Sequence, residues 1–234
     1  MQANALQVLT GDIYGTFTFG PIVDGNFTPA LPGKLLLDGG FDSSVKIMAA
    51  HNANEGFTFA DPRLKNDSDY NAFLKKSFPT ASSDVLKYIN ETLYPPVYDG
   101  SHGYKNVFQR TVLSVGEFVI DCNPFYLATA YKNQIYRYLF SVPPGFHGID
   151  VPFTFYNGEA GSSVVTNATV ATALQGFITS FAVNGTPKHL PNGQDYPVFG
   201  SDAEVVNLNQ TVIDVIKDPT ATDRCKWWQQ ALYA

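Results

Sequence analysis

The chain has 234 residues, of which 44% are hydrophobic, 14% aromatic and 15% charged, and it carries a formal net charge of −6. That composition supplies one sizeable core and excludes extended disorder. The acidic balance, without any run of Lys or Arg, excludes a nucleic-acid footprint, and no apolar stretch reaches the length of a membrane span.

Pro and Gly punctuate the first 40 residues, at Gly20-Pro21, Asp24-Gly25, Thr28-Pro29, Leu31-Pro32-Gly33 and Gly39-Gly40. This pattern predicts an extended, loop-rich segment rather than a helix. Residues 45–50 are apolar and bounded by turn residues, so their length predicts a buried strand. Two helices are predicted within 69–94. Asp69 caps the first, with Phe73 and Leu74 inside it; Ser83 or Asp84 caps the second, with Leu86, Tyr88, Ile89 and Leu93, before Pro95-Pro96 ends the run. Further helices are expected over about 105–119 and 124–132, and a strand over 134–142, where β-favouring Ile, Tyr and Phe alternate. Residues 168–183 read as a helix closed by Asn184-Gly185, 211–216 as a strand, and 222–233 as a terminal helix. Alternating strands and helices predict an α/β sheet in one domain, with no internal repeat or linker.

Six Asn-x-Ser/Thr sequons occur, at Asn26, Asn66, Asn90, Asn167, Asn184 and Asn209, where this composition would give about two by chance. The excess points to glycosylated surface loops and a secreted, extracellular location. The two cysteines, Cys122 and Cys225, are an even pair that fits either one long-range disulfide or two buried thiols. Met1-Gln2-Ala3-Asn4-Ala5-Leu6-Gln7-Val8 lacks the basic start and apolar core of an export signal, so the signal is expected upstream of this chain.

Two loops carry the chemistry. His51-Asn52-Ala53-Asn54-Glu55-Gly56-Phe57 follows the first predicted strand, and Gly145-Phe146-His147-Gly148-Ile149-Asp150-Val151-Pro152-Phe153 follows the strand at 134–142. Each leads from a strand into a Gly-flanked turn, where α/β folds place their functional groups. In ester hydrolysis a Ser attacks, a His removes its proton, and a carboxylate orients the His. On α/β-hydrolase sheets these come in the order Ser, Asp or Glu, His, and Glu55 followed by His147 matches the last two. Asp150 is so close in sequence to His147 that it is expected to be a buried supporting carboxylate rather than the acid itself. The Gly-x-Ser-x-Gly elbow is absent from the chain. Ser114 has Gly at +2 but Val at −2 and falls inside a predicted helix, which rejects it as the nucleophile.

The flanking residues resemble the type-B carboxylesterase/lipase family, which includes the cholinesterases and secreted fungal lipases. The likeness rests on Phe19-Gly20-Pro21-Ile22-Val23-Asp24-Gly25, Leu31-Pro32, Asn52-Ala53-Asn54-Glu55-Gly56 and His147-Gly148-Ile149-Asp150-Val151-Pro152-Phe153-Thr154-Phe155. Val115-Gly116-Glu117-Phe118 with Cys122-Asn123-Pro124, Phe181-Ala182 with Asn184-Gly185-Thr186-Pro187, and Cys225-Lys226-Trp227-Trp228 extend it to the rest of the chain. The resemblance implies that residues 1–234 are the C-terminal portion of a single α/β-hydrolase domain, the later part of its sheet with flanking helices. It implies Glu55 as the acid and His147 as the base of a Ser-Glu-His carboxylic ester hydrolase, and a Cys122–Cys225 disulfide. The nucleophile and oxyanion loop would lie in an N-terminal half of the same domain, and the substrate would be a small-molecule ester or lipid. A non-catalytic, esterase-like binding protein and a truncated product inactive alone are the alternatives.

No cofactor is implied. His51, His102 and His189 show no ligand spacing among themselves or with the cysteines, so no metal site is expected. Trp227-Trp228 are expected to pack the core. Phe57, Phe59, Phe146 and Phe153 could line an acyl or alcohol pocket, or only support the loops.

Overall fold

The computed structural model describes residues 13–16, 22–158 and 164–234. The Met1–Val8 stretch and the Phe19-Gly20-Pro21 start of the first motif lie outside the described residues. Among the described residues there are four strands, β1 (Met48–Asn52), β2 (Tyr136–Phe140), β3 (Glu204–Leu208) and β4 (Ile213–Lys217), hydrogen-bonded in that order. β1, β2 and β3 run parallel, and β4 returns antiparallel to β3.

The helices are α1 (Pro32–Leu37), α2 (Gly56–Phe59), α3 (Asp67–Ser77), α4 (Ser83–Tyr88), α5 (Val107–Gly116), α6 (Asn123–Ala130), α7 (Val151–Thr154), α8 (Ala168–Asn184) and α9 (Asp223–Gln229). Single π turns extend two of them, Ile89–Leu93 after α4 and Glu117–Asp121 after α5. The crossover from β1 to β2 carries α2 to α6, and that from β2 to β3 carries α7 and α8.

Period-2 alternation sends the side chains of each strand to two cores. In β2 and β3, Leu139 and Val205 join Tyr70, Leu74, Ile89, Val115, Phe125 and Trp228 on one face. Phe140, Val206 and Leu208 join Phe153, Val170, Leu174 and Phe177 on the other. The first core is closed covalently: Cys122, after the second π turn, is bonded to Cys225 of α9, with Cα atoms 5.2 Å apart.

Several local expectations are corrected. The segment expected to be extended up to residue 40 contains α1, because Pro32 occupies its first turn, where no N–H is needed. Leu36 of this helix packs against the first core. The cap of α3 is Asn66, not Asp69; Asp69 is the reciprocal partner of a capping box three residues on. Ser82 caps α4, one residue before Ser83 and two before Asp84. β4 begins two residues later than the strand expected at 211–216, and β3, where no strand was expected, is only five residues long. The terminal helix starts after Thr222, as expected, but stops at Gln229. Gly185 ends α8 in the left-handed conformation, φ 68°.

Candidate active site

The parallel register is what brings the two loops together. Asn52 pairs with Phe140, so both strands end at the same level. The chain leaving β1 stays beside the chain leaving β2: Ala53 N–H donates to Phe140 O (2.9 Å) and Asn54 N–H to Gly145 O (2.8 Å). Asn54 Nδ2 also donates to Pro144 O (2.7 Å). Gly145 turns at φ 67°, with Ala53 and Asn54 packed against the place a Cβ would occupy.

Glu55 and His147 meet across this seam. His147 Nδ1 lies 2.6 Å from Glu55 Oε2. A carboxylate only accepts, so Nδ1 carries the hydrogen, which leaves the Nε2 lone pair available in the neutral ring. Glu55 is buried, with 3% of its side chain exposed, whereas 48% of the His147 side chain is exposed. The second carboxylate oxygen is fixed as well, since the Asn52 main-chain N–H donates to Glu55 Oε1 (2.6 Å). The Phe59 ring meets the His147 imidazole edge-on at 4.9 Å between centroids. A buried acid with both oxygens engaged and an imidazole offering Nε2 outward is an arrangement able to take a proton from a hydroxyl and return it.

Close packing behind the acid depends on glycine. A Cβ on Gly56 would stand 2.6 Å from Gly116 N, and closer still to Val112 O, so α2 rests directly on the backbone of α5. In front of this contact lies a cavity of about 500 Å³. Glu55, Asp121, Phe57, Phe108 and Phe146 are among its lining residues. Phe57 stacks on Phe146 at 4.3 Å and meets Phe108 edge-on at 5.6 Å. Of the four phenylalanines singled out from sequence, Phe57 and Phe146 line this cavity, Phe59 holds the histidine ring, and Phe153 is buried in the second core.

Asp150 is half-buried rather than buried, and it reaches the pair only indirectly. Its Oδ1 accepts from Asn52 Nδ2 (3.1 Å), the side chain of the residue whose N–H holds Glu55. The start of α7 keeps it at the solvent edge, because Asp150 is the residue preceding that helix. Ser114 is fully buried in α5 and its Oγ donates to Thr111 O (3.1 Å).

Sequence reasoning missed a group of ionisable residues on the inner side of the site. Asp121 Oδ1 is buried without a hydrogen-bond partner, 3.6 Å from His51 Nδ1. Burial, reinforced by the negative charges of Glu55, Glu117 and Asp218, pushes the Asp121 carboxyl up to about 7, against the opposing pull of His51. Asp218 behaves oppositely. Burial works to raise it, but His51, the Arg137 charge and Thr220 outweigh that and hold it below the usual carboxylate range. Asp121 directly precedes Cys122, which is the only local signal that could have drawn attention to it.

Among the described residues, no group of three or more His, Cys, Asp or Glu could hold a metal ion, and no helix is long and apolar enough to cross a membrane. The sequons divide by exposure. Asn26, Asn66 and Asn184 are exposed, Asn90, Asn167 and Asn209 half-buried.

The chain is 35% identical over 217 residues to carboxylesterase patB of Penicillium expansum, a match covering 93% of this chain and 38% of the relative. It is 31% identical over the same length to carboxylesterase patB of Aspergillus clavatus, covering 93% and 39%. The crystal structure of Aspergillus niger EstA superposes with a TM-score of 0.74 at 17% identity, over 94% of this chain and 45% of that one, a likeness of fold. The chain therefore spans less than half the length of the proteins it matches, and its sheet is part of an α/β-hydrolase fold. A model of the carboxylesterase family matches residues 2–228, and the chain belongs to that family.

Proposed function

We propose that this chain supplies the acid and base of a serine carboxylic ester hydrolase, as the C-terminal portion of a single α/β-hydrolase domain. His147 is the general base and then the general acid, through Nε2. Glu55 orients the imidazole through Nδ1 and stabilises its charged form, and Asp150 supports Glu55 by holding Asn52. The nucleophilic Ser and the oxyanion donors come from the N-terminal half of the same domain. The substrate is a small-molecule ester or lipid, with hydrolysis taking place in the secretory or extracellular space on a glycosylated, disulfide-bonded protein. The observation that carries this reading is the 2.6 Å contact between His147 Nδ1 and Glu55 Oε2, made by loops 92 residues apart.

In the proposed cycle, a Ser hydroxyl presented to Nε2 gives up its proton as its oxygen adds to the ester carbonyl. The proton then passes from Nε2 to the departing alkoxide. Water repeats the sequence on the acyl-enzyme. This chain alone lacks the attacking oxygen, and these groups act as a unit, so by itself it should hydrolyse esters barely above background.

The test joins the chain to the nucleophile-bearing N-terminal segment of its gene or of a relative and follows p-nitrophenyl ester hydrolysis. The His147→Ala form of the assembled protein should lose roughly four or more orders of magnitude in kcat. Turnover unchanged in that variant overturns the assignment.

A further inference from the structure

The buried groups behind Glu55 have no part in the cycle above. Asp121 closes the π turn that continues α5, and it lines the same cavity as Glu55. Its Oδ2 packs over Gly116, in the space a Cβ there would take. Its Oδ1 faces His51 of β1, a buried imidazole whose Nδ1 is also 2.9 Å from Asn52 O. Deeper in, Asp218 follows β4 and is held by Arg137 of β2 and by Thr220, and its carboxyl is lowered by His51 as well.

We propose that Asp121 and His51 form a second carboxyl–imidazole pair, which sets the charge standing behind Glu55. The charged groups acting on Asp121 come from every neighbouring element. Glu55 follows β1, Glu117 shares the π turn and is tied up by Arg224 of α9, and Asp218 is tied up by Arg137. These three carboxylates oppose a charge on Asp121, and His51 alone among its direct neighbours favours one. An anion there also has no hydrogen bond at Oδ1 to replace water. Asp121 therefore keeps its proton well past the range of ordinary carboxyls and leaves Glu55 the single negative charge at the cavity wall. When the proton leaves, near neutrality, a second negative charge faces Glu55, offset in part by His51. The catalytic consequence rests on the function proposed above; the electrostatic coupling does not.

The coupling is read without turnover. In the whole chain with 13C-carboxyl-labelled aspartate, the Asp121 resonance is identified by its loss in Asp121→Asn and titrated by NMR. Its midpoint should lie near pH 7. Glu55→Gln removes an opposing charge and should lower that midpoint by several tenths of a pH unit. His51→Gln removes the favouring group and should raise it. An Asp121 midpoint below about pH 5, with the ordinary aspartates, overturns the proposal. So does a midpoint unmoved in both variants. If one variant fails to fold, the other and the wild-type curve decide. A failed titration leaves the roles of Glu55 and His147 standing, and a protein without esterase activity leaves the coupling standing, so the two readings fail separately.

Discussion

The bond between Cys122 and Cys225 joins α9 to the end of the π turn that carries Asp121, across a sequence separation of 103 residues. Both cysteines are fully buried in the core that also holds Trp228 and Phe125. Replacing both by Ala removes the cross-link while leaving the surrounding apolar contacts almost intact. In the chain-entropy description, closing a loop of this length removes about 4.7 kcal/mol of freedom from the unfolded ensemble. For a domain of this size that corresponds to a fall in Tm of roughly 10–20 °C. The assay is guanidinium unfolding, followed by tryptophan fluorescence, of the oxidised protein, the reduced wild type and the Cys122→Ala/Cys225→Ala variant. The reduced wild type keeps both sulfur atoms in place, so it separates the cross-link from the small voids left by the substitutions. Both crosslink-free forms should unfold at clearly lower denaturant, with similar losses. A loss under about 1 kcal/mol in each would refute the argument that this loop closure stabilises the fold.

Asp121 makes stability depend on pH in the direction opposite to most carboxylates. Its folded value is raised from 3.8 to about 7, so between these limits the native state holds a proton that the unfolded chain has lost. Stability from this group is complete below 3.8 and is lost as pH rises through about 7, to a total of about 4 kcal/mol. Asp121→Asn should flatten that fall, measured as unfolding free energy at acid and alkaline pH; an unchanged slope would count against it. Gly56→Ala forces a methyl into the backbone of α5 and should cost about 1–3 kcal/mol while weakening the downfield Nδ1 proton signal of His147; full stability in this variant would contradict the close contact. In a glycosylating host, glycopeptide mass spectrometry should find occupancy at the exposed Asn26, Asn66 and Asn184. Asn167 and Asn209 should be largely unmodified, because their Nδ2 groups donate to Gln210 O (2.8 Å) and Ser141 Oγ (3.1 Å). Full occupancy at Asn209 would refute this reading of the Ser141 contact.

What the sequence determines by itself is local. The signals for β1 and β2, the cap of α9 at Thr222 and the left-handed stop at Gly185 all lie within a few residues of the structure they specify. The Glu55 and His147 loops are legible for the same reason, as short motifs on strand ends. Other features depend on partners distant in the chain. Pro32 reads as a breaker until α6 and α9 give α1 a surface to pack on, and β3 is too short to declare itself without β2 and β4 on either side. Asp69 has the right chemistry for a cap, but the backbone bends one turn earlier and hands that role to Asn66. Only the parallel register of β1 with β2 brings Glu55 and His147 within 2.6 Å. The inner group is decided by tertiary structure altogether. Asp121 and His51 are 70 positions apart, and the raised Asp121 carboxyl comes from burial and from neighbouring charges at β1, the π turn and the end of β4, quantities that no spacing along the chain encodes.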